Sequence, residues 1–261
     1  MMHNLHRLLL FNVLMCLGQN ALGSEIIKGK KTNKKSMLYM ASVQNSSNEH
    51  ICGGFLITPD FVVTAAHCDG RNPSSVVLGT HNLKKVNETM RYGIKKCKHP
   101  SYRNVVKGND IMLLKLSREA QLSKKTITTI PTPSHEINIQ DNKTCSVAGW
   151  GYTRTGGNLV DKLQVVNVPL INLEKCQKAW HGILPANVMC AGGYGTKKGF
   201  CQGDSGGPLV CEGKDRKQHM AVGIVSFNNK NKCDYPDVPN IYTDISKYLP
   251  WIKKILDKRD C

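Results

Sequence analysis

Short apolar segments, broken about every 8–12 residues by Gly, Pro, Asn or Asp, run through the body of this chain. Examples are Phe55-Leu56-Ile57, Phe61-Val62-Val63, Ser75-Val76-Val77-Leu78, Ile111-Met112-Leu113-Leu114, Val165-Val166-Asn167-Val168 and Ala221-Val222-Gly223-Ile224-Val225. They are too short for buried helices and rich in β-branched residues, so they predict many antiparallel strands closed into barrels or sandwiches. One segment departs from this rhythm. Ile245, Leu249, Ile252, Ile255 and Leu256 fall at helical spacing and predict an amphipathic helix near the C-terminus. At 261 residues the chain can bury a full core, and all-β barrels reach this size as one unit.

Such a core has no need of cysteines as staples, yet the chain carries eleven, which points to an oxidising compartment. The N-terminus agrees. His3, His6 and Arg7 precede an apolar run from Leu8 to Leu17, too short to span a bilayer, followed by the small-x-small site Ala21-Leu22-Gly23. Residues 1–23 therefore read as a secretory signal peptide. Its removal takes away Cys16 and leaves ten cysteines. No second apolar stretch is long enough for a membrane span. Sequons at Asn45, Asn87 and Asn142 make surface glycosylation an expectation. The net charge of +17 is spread in small clusters such as Lys30-Lys31, Lys34-Lys35, Lys84-Lys85 and Lys95-Lys96. It reads either as a solvated basic face or as a field attracting a polyanion such as a sulfated glycan. No nucleic-acid recognition motif accompanies it.

Three segments carry chemistry: Thr64-Ala65-Ala66-His67-Cys68, Asn109-Asp110-Ile111, and Gly203-Asp204-Ser205-Gly206-Gly207-Pro208. Alone, each has a plainer reading, as a core histidine, a strand start and a glycine-rich turn. Together they supply the parts of nucleophilic catalysis. A serine hydroxyl needs an adjacent base, and an imidazole titrates near neutrality. The imidazole needs an acceptor on its other nitrogen, which a buried aspartate provides. Glycines around the serine let backbone N–H groups converge where negative charge develops. His…Asp…Ser is one of the known chain orders for this triad.

These segments, with Val147-Ala148-Gly149-Trp150-Gly151 and Cys201-Gln202, resemble the chymotrypsin-like serine proteases over Ile26 to about Leu256. The resemblance implies two six-stranded antiparallel β-barrels with a C-terminal α-helix, and peptide or protein substrates. It implies His67 as general base, Asp110 as its orienter, Ser205 as nucleophile, and the N–H groups of Gly203 and Ser205 as oxyanion hole. Ser226-Phe227-Asn228 resembles the strand that pairs with substrate backbone. Disulfides Cys52–Cys68, Cys145–Cys211, Cys176–Cys190 and Cys201–Cys233 are implied, leaving Cys97 and Cys261 to pair internally or to join two chains.

The resemblance further implies activation by a cut before Ile26, whose new ammonium pairs with Asp204. With signal cleavage after Gly23, the activation segment is only Ser24-Glu25, and the protease domain is 26–261. A two-residue segment resembles the granule proteases, the granzymes and mast-cell proteases, in which a dipeptidyl peptidase removes it. Secretion or granule storage, binding to acidic proteoglycan and serpin-type inhibitors follow from the same likeness. Gly199 aligns with the base of the primary pocket, Phe200 with its wall, Asn228 with its entrance and Asn240 with a place near its floor. A floor without an anion disfavours Lys and Arg and implies an uncharged P1 side chain, small to medium aliphatic or aromatic. The loop Thr80–Glu88 is too poor in acids for calcium, and no zinc spacing occurs, so neither metal nor cofactor is expected. The competing readings are a catalytically silent, polyanion-binding homologue and a digestive-type protease.

Overall fold

The computed structural model describes residues 26–137, 141–213, 218–229 and 232–261. The expected signal peptide (1–23), with Cys16, and the expected activation dipeptide Ser24-Glu25 lie outside the described residues. Among the described residues, thirteen strands, β1 to β13 in chain order, make two six-stranded barrels and one short outlying strand. The first closes in the order β2 (Met40–Gln44), β3 (His50–Thr58), β4 (Phe61–Thr64), β7 (Met112–Leu116), β6 (Arg91–Lys98), β5 (Ser75–Val77). The second runs β9 (Gln164–Ile171), β10 (Val188–Ala191), β13 (Asn240–Asp244), β12 (His219–Phe227), β11 (Pro208–Glu212), β8 (Thr144–Gly149), and a β8–β9 pairing closes it. All pairings are antiparallel. The two-residue strand β1 (Lys30–Lys31) lies against β9, outside that ring.

The apolar segments named from the sequence supply the barrel walls. Phe55, Leu56, Phe61, Val62, Val63 and Ile111–Leu114 are all buried, as are Ala221, Val222, Ile224 and Val225. Closure removes the sheet edges that open sheets of this length would expose.

Among the described residues, two α-helices complete the fold. Helix α1 (Leu173–Ala179) begins where the Asn172 side chain accepts from the Glu174 and Lys175 N–H groups. The C-terminal helix α2 (Leu249–Lys258) follows a 3₁₀ turn at Ile245–Tyr248, which takes up the first turn of the helix expected from Ile245. Pro250 stands in its opening turn, where its missing N–H is harmless. Ile245, Tyr248 and Ile252 join the first barrel's core cluster, and the His99 ring packs at a tilt against Trp251 with ring centroids 5.0 Å apart.

Among the described residues five disulfides are closed: Cys52–Cys68, Cys97–Cys261, Cys145–Cys211, Cys176–Cys190 and Cys201–Cys233. Cys97–Cys261 ties the end of the chain to β6 across 164 residues. A loop that long contributes about 5 kcal/mol in a chain-entropy model. With both sulfurs used inside one chain, the protein is expected to run as a monomer on a non-reducing gel. A covalent dimer converted to monomer by Cys261→Ser would contradict this pairing.

Candidate active site

His67 sits on the 3₁₀ turn Ala66–Arg71 that follows β4, and Asp110 just before β7. Both belong to the first barrel. Ser205 lies in the loop leading to β11 of the second. The loop crosses to the first barrel at two points. The Gly53 N–H donates to the Ser205 carbonyl at 2.8 Å, and that carbonyl lies 3.8 Å from the Cys68 sulfur, next to His67 in sequence.

Asp110 is 1 % exposed and every polar atom of its carboxylate is used. One oxygen accepts from the His67 backbone N–H at 2.8 Å; the other accepts from His67 Nδ1 at 2.8 Å and the Ser226 hydroxyl at 2.5 Å. The Asp110 carbonyl accepts from the Thr243 hydroxyl at 2.9 Å. Burial pushes this carboxyl up, but the charge and hydrogen bonds of His67, with the Ser226 hydroxyl, outweigh it and hold the group below the usual carboxylate range. An ionised acceptor at Nδ1 fixes the proton there in neutral His67, and Nε2 is left as the basic nitrogen.

Gly203 has φ +95°, a left-handed conformation that glycine adopts without strain. Its carbonyl accepts from His50 Nε2 at 2.9 Å, and His50 Nδ1 meets the Ser42 hydroxyl at 2.8 Å. Burial pushes His50 down to about 4, so the ring is neutral, donating from Nε2 and accepting at Nδ1. The 203–204 peptide is thus clamped from the first barrel. No signal in the sequence marks His50, because its partners lie 8 and 153 residues away. The Ser226 hydroxyl on Asp110 was likewise not legible: the sequence places Ser226 only on the substrate strand.

Asp204 is fully buried. Its carboxylate accepts from the Gly151 N–H at 2.7 Å and the Cys201 N–H at 2.9 Å. Among the described residues it has no ion-pair partner. Burial outweighs both hydrogen bonds and pushes the carboxyl up to about 7. A side chain at Gly151 would place its Cβ 2.5 Å from the Asp204 carboxyl carbon, so only glycine lets the two backbones approach. Ile26 is fully buried in the second barrel's cluster, and Ile27 forms an antiparallel bridge with Gly199.

Asn240, 1 % exposed, lies against Gly199: its Nδ2 would stand 2.0 Å from a Cβ added there. Phe200 packs edge-to-face on Tyr242 in the core of the second barrel. Phe227 packs on Trp180, and the Asn228 amide reaches the Cys233 sulfur at 3.7 Å. The grouping of His67 with Cys52 and Cys68 offers no thiolate to a metal, since those sulfurs are bonded to each other.

Comparison with known proteins places this geometry. The family profile described as Trypsin matches residues 26–252. The chain belongs to the trypsin family. It is 38 % identical to Duodenase-1 of Bos taurus over 250 residues, 94 % of each chain. It is 36 % identical to Granzyme B(G,H) of Mus musculus over 255 residues, covering 96 % of this chain and 98 % of that one. Mast cell protease 8 of Mus musculus is 37 % identical over 252 residues, 95 % and 97 % of the two chains. This trypsin-family protein is a chymotrypsin-like serine endopeptidase related to the granzymes and mast cell proteases. No helix among its described residues is long and apolar enough to cross a membrane.

Proposed function

We propose that this protease cleaves peptide bonds after uncharged side chains, through an acyl-enzyme on Ser205. The observation that carries the reading is the fully used Asp110 carboxylate on His67 Nδ1, which leaves Nε2 as a base at the junction where the Ser205 loop arrives. In the first step Ser205 Oγ bonds to the scissile carbonyl carbon and gives its proton to His67 Nε2. The oxygen takes the charge, facing the N–H groups of Gly203 and Ser205. His67 then passes the proton to the leaving amine as the C–N bond breaks. Water repeats the sequence and frees the acid. Donors of this kind are worth about 3–4 kcal/mol each in the transition state.

Gly199, Phe200, Ser226, Phe227, Asn228 and Asn240 form the substrate-binding region in this reading. A floor without an acid supports an uncharged P1, because a Lys or Arg side chain would be buried unpaired. The relatives named granzyme and mast cell protease, the +17 charge and the two-residue segment Ser24-Glu25 support a secreted protease stored in granules on acidic proteoglycan. Removal of residues 1–23, then of the dipeptide by a dipeptidyl peptidase, would start the mature chain at Ile26. Serpin-type inhibitors are the expected antagonists.

The test is a P1-varied fluorogenic peptide panel on protein processed to start at Ile26, with Ser205→Ala as control. Cleavage after uncharged residues is expected, absent in the control, with Lys and Arg peptides at least about 100-fold poorer in kcat/KM. Preferred cleavage after Lys or Arg would overturn the pocket reading and keep the mechanism. Failure of an organophosphonate to label Ser205 would overturn the mechanism and favour the silent homologue.

A further inference from the structure

Two buried polar atoms of β13 have no hydrogen-bond partner among the described residues: Nδ2 of Asn240 and the hydroxyl of Tyr242. Buried polar groups are nearly always paired, with protein, water or ligand, so two orphans on one strand hold hydrogen-bonding capacity that a ligand can take up. Residues two apart on a strand face the same side, so the amide and the phenol leave β13 on one face. The other end of Asn240 is already fixed. Its Oδ1 accepts from the Tyr235 hydroxyl at 2.5 Å, and the Tyr235 oxygen accepts from the Asn229 N–H at 3.0 Å. This chain of donors runs one way and turns the Asn240 NH₂ away from Tyr235. There it fills the space that a side chain at Gly199 would occupy.

We propose that the primary pocket reads a primary amide, the side chain of P1 asparagine or glutamine. The substrate carbonyl oxygen accepts from Asn240 Nδ2, and the substrate NH₂ donates to the Tyr242 oxygen. This rests on the reading of Gly199 and Asn240 as the pocket's base. An aliphatic or aromatic P1 side chain would leave both atoms unpaired, and sites built to hydrogen-bond a substrate reject analogues lacking that group most strongly. A carboxylate P1 would need a buried cation, and among the described residues no Lys or Arg is buried. Tyr242 keeps its proton throughout, since burial pushes the phenol well above its ordinary range.

The experiment compares near-isosteric P1 pairs on the processed protein, Asn against Leu and Gln against Met, with the other positions held constant. At least about a tenfold advantage in kcat/KM is expected for the amide in each pair. Tyr242→Phe keeps the ring on Phe200 and removes one oxygen; it is expected to cut the advantage severalfold. Asn240→Leu is expected to abolish it and to raise cleavage after Leu; should that variant not fold, Tyr235→Phe, which frees the amide to turn, replaces it. Leu and Met peptides cleaved as well as their partners would overturn the amide reading while leaving the uncharged-P1 protease standing. Glu cleaved as well as Gln would overturn it too, as would an unchanged advantage in Tyr242→Phe and the Asn240 variant. Preferred cleavage after Lys or Arg would instead sink the pocket reading on which it rests.

Discussion

Replacing Asp110 with Asn is expected to lower kcat by about 10⁴-fold with little change in KM, the fold-change being that of the family's reference enzyme rather than one derived from these distances. The direction follows from the site. Asp110 accepts three hydrogen bonds on its carboxylate, two from His67 and one from Ser226. An amide has the same shape but only one accepting oxygen. If that oxygen keeps the His67 backbone N–H, the NH₂ faces Nδ1 and forces the proton onto Nε2. The base is then unable to accept from Ser205. The protein should still fold, because the volume is unchanged, and peptide binding should persist. Activity should recover partly at alkaline pH, where hydroxide can take the serine proton. Steady-state kinetics from pH 6 to 10 check this. A loss confined to KM would mean that Asp110 shapes the cleft rather than the base.

The barrels were legible because closure demands what periodicity displays. Each short β-branched run, such as Phe61-Val62-Val63, became a buried wall strand, and the helical spacing after Ile245 marked the C-terminal helix. The small 3₁₀ turn at Ile245–Tyr248 was not legible, because 3₁₀ and α turns bury the same residues over one turn. In the site, the chain order His67, Asp110, Ser205 pointed to one chemistry, and the fold brings His67 Nδ1 and the Asp110 carboxylate to 2.8 Å. The supporting groups could not be read. His50 on the Gly203 carbonyl and Tyr235 on Asn240 are ordinary strand and loop residues until the fold brings them into contact. The pocket shows the same divide. Gly199 was read as a floor without an anion, but only the fold puts the Asn240 amide in the space a side chain there would take and turns the Phe200 ring toward Tyr242.

Cutting the chain before Ile26 is expected to raise its thermal midpoint by about 10 °C at pH 7.5 and by almost nothing at pH 4. The cause is Asp204. In the uncut chain its carboxyl is buried without an ion-pair partner among the described residues, and it lies at about 7 against an ordinary 3.8. A carboxyl raised on folding contributes its stability below the unfolded value and loses it as pH rises through the folded one. The gap of about three pH units corresponds to ~4 kcal/mol lost between pH 4 and pH 7.5. His50 acts in the opposite direction over much of the same window. It is lowered to about 4 from 6.5, so its stability is present above 6.5 and is lost as pH falls toward 4. The pH profile of either form alone therefore mixes two slopes. The difference between cut and uncut forms isolates Asp204, since His50 is common to both. A free Ile26 ammonium would hold Asp204 ionised and remove its slope. Breaking such a buried pair costs about 3–5 kcal/mol, which is large enough to latch the Gly203–Ser205 loop. Calorimetry of both forms across pH 4 to 7.5, with Asp204→Asn beside them, decides the matter. The asparagine variant should show no widening gap and little activity. A gap that stays constant with pH would mean that Ile26 does not pair with Asp204, and activation would then require another charge to steady the loop.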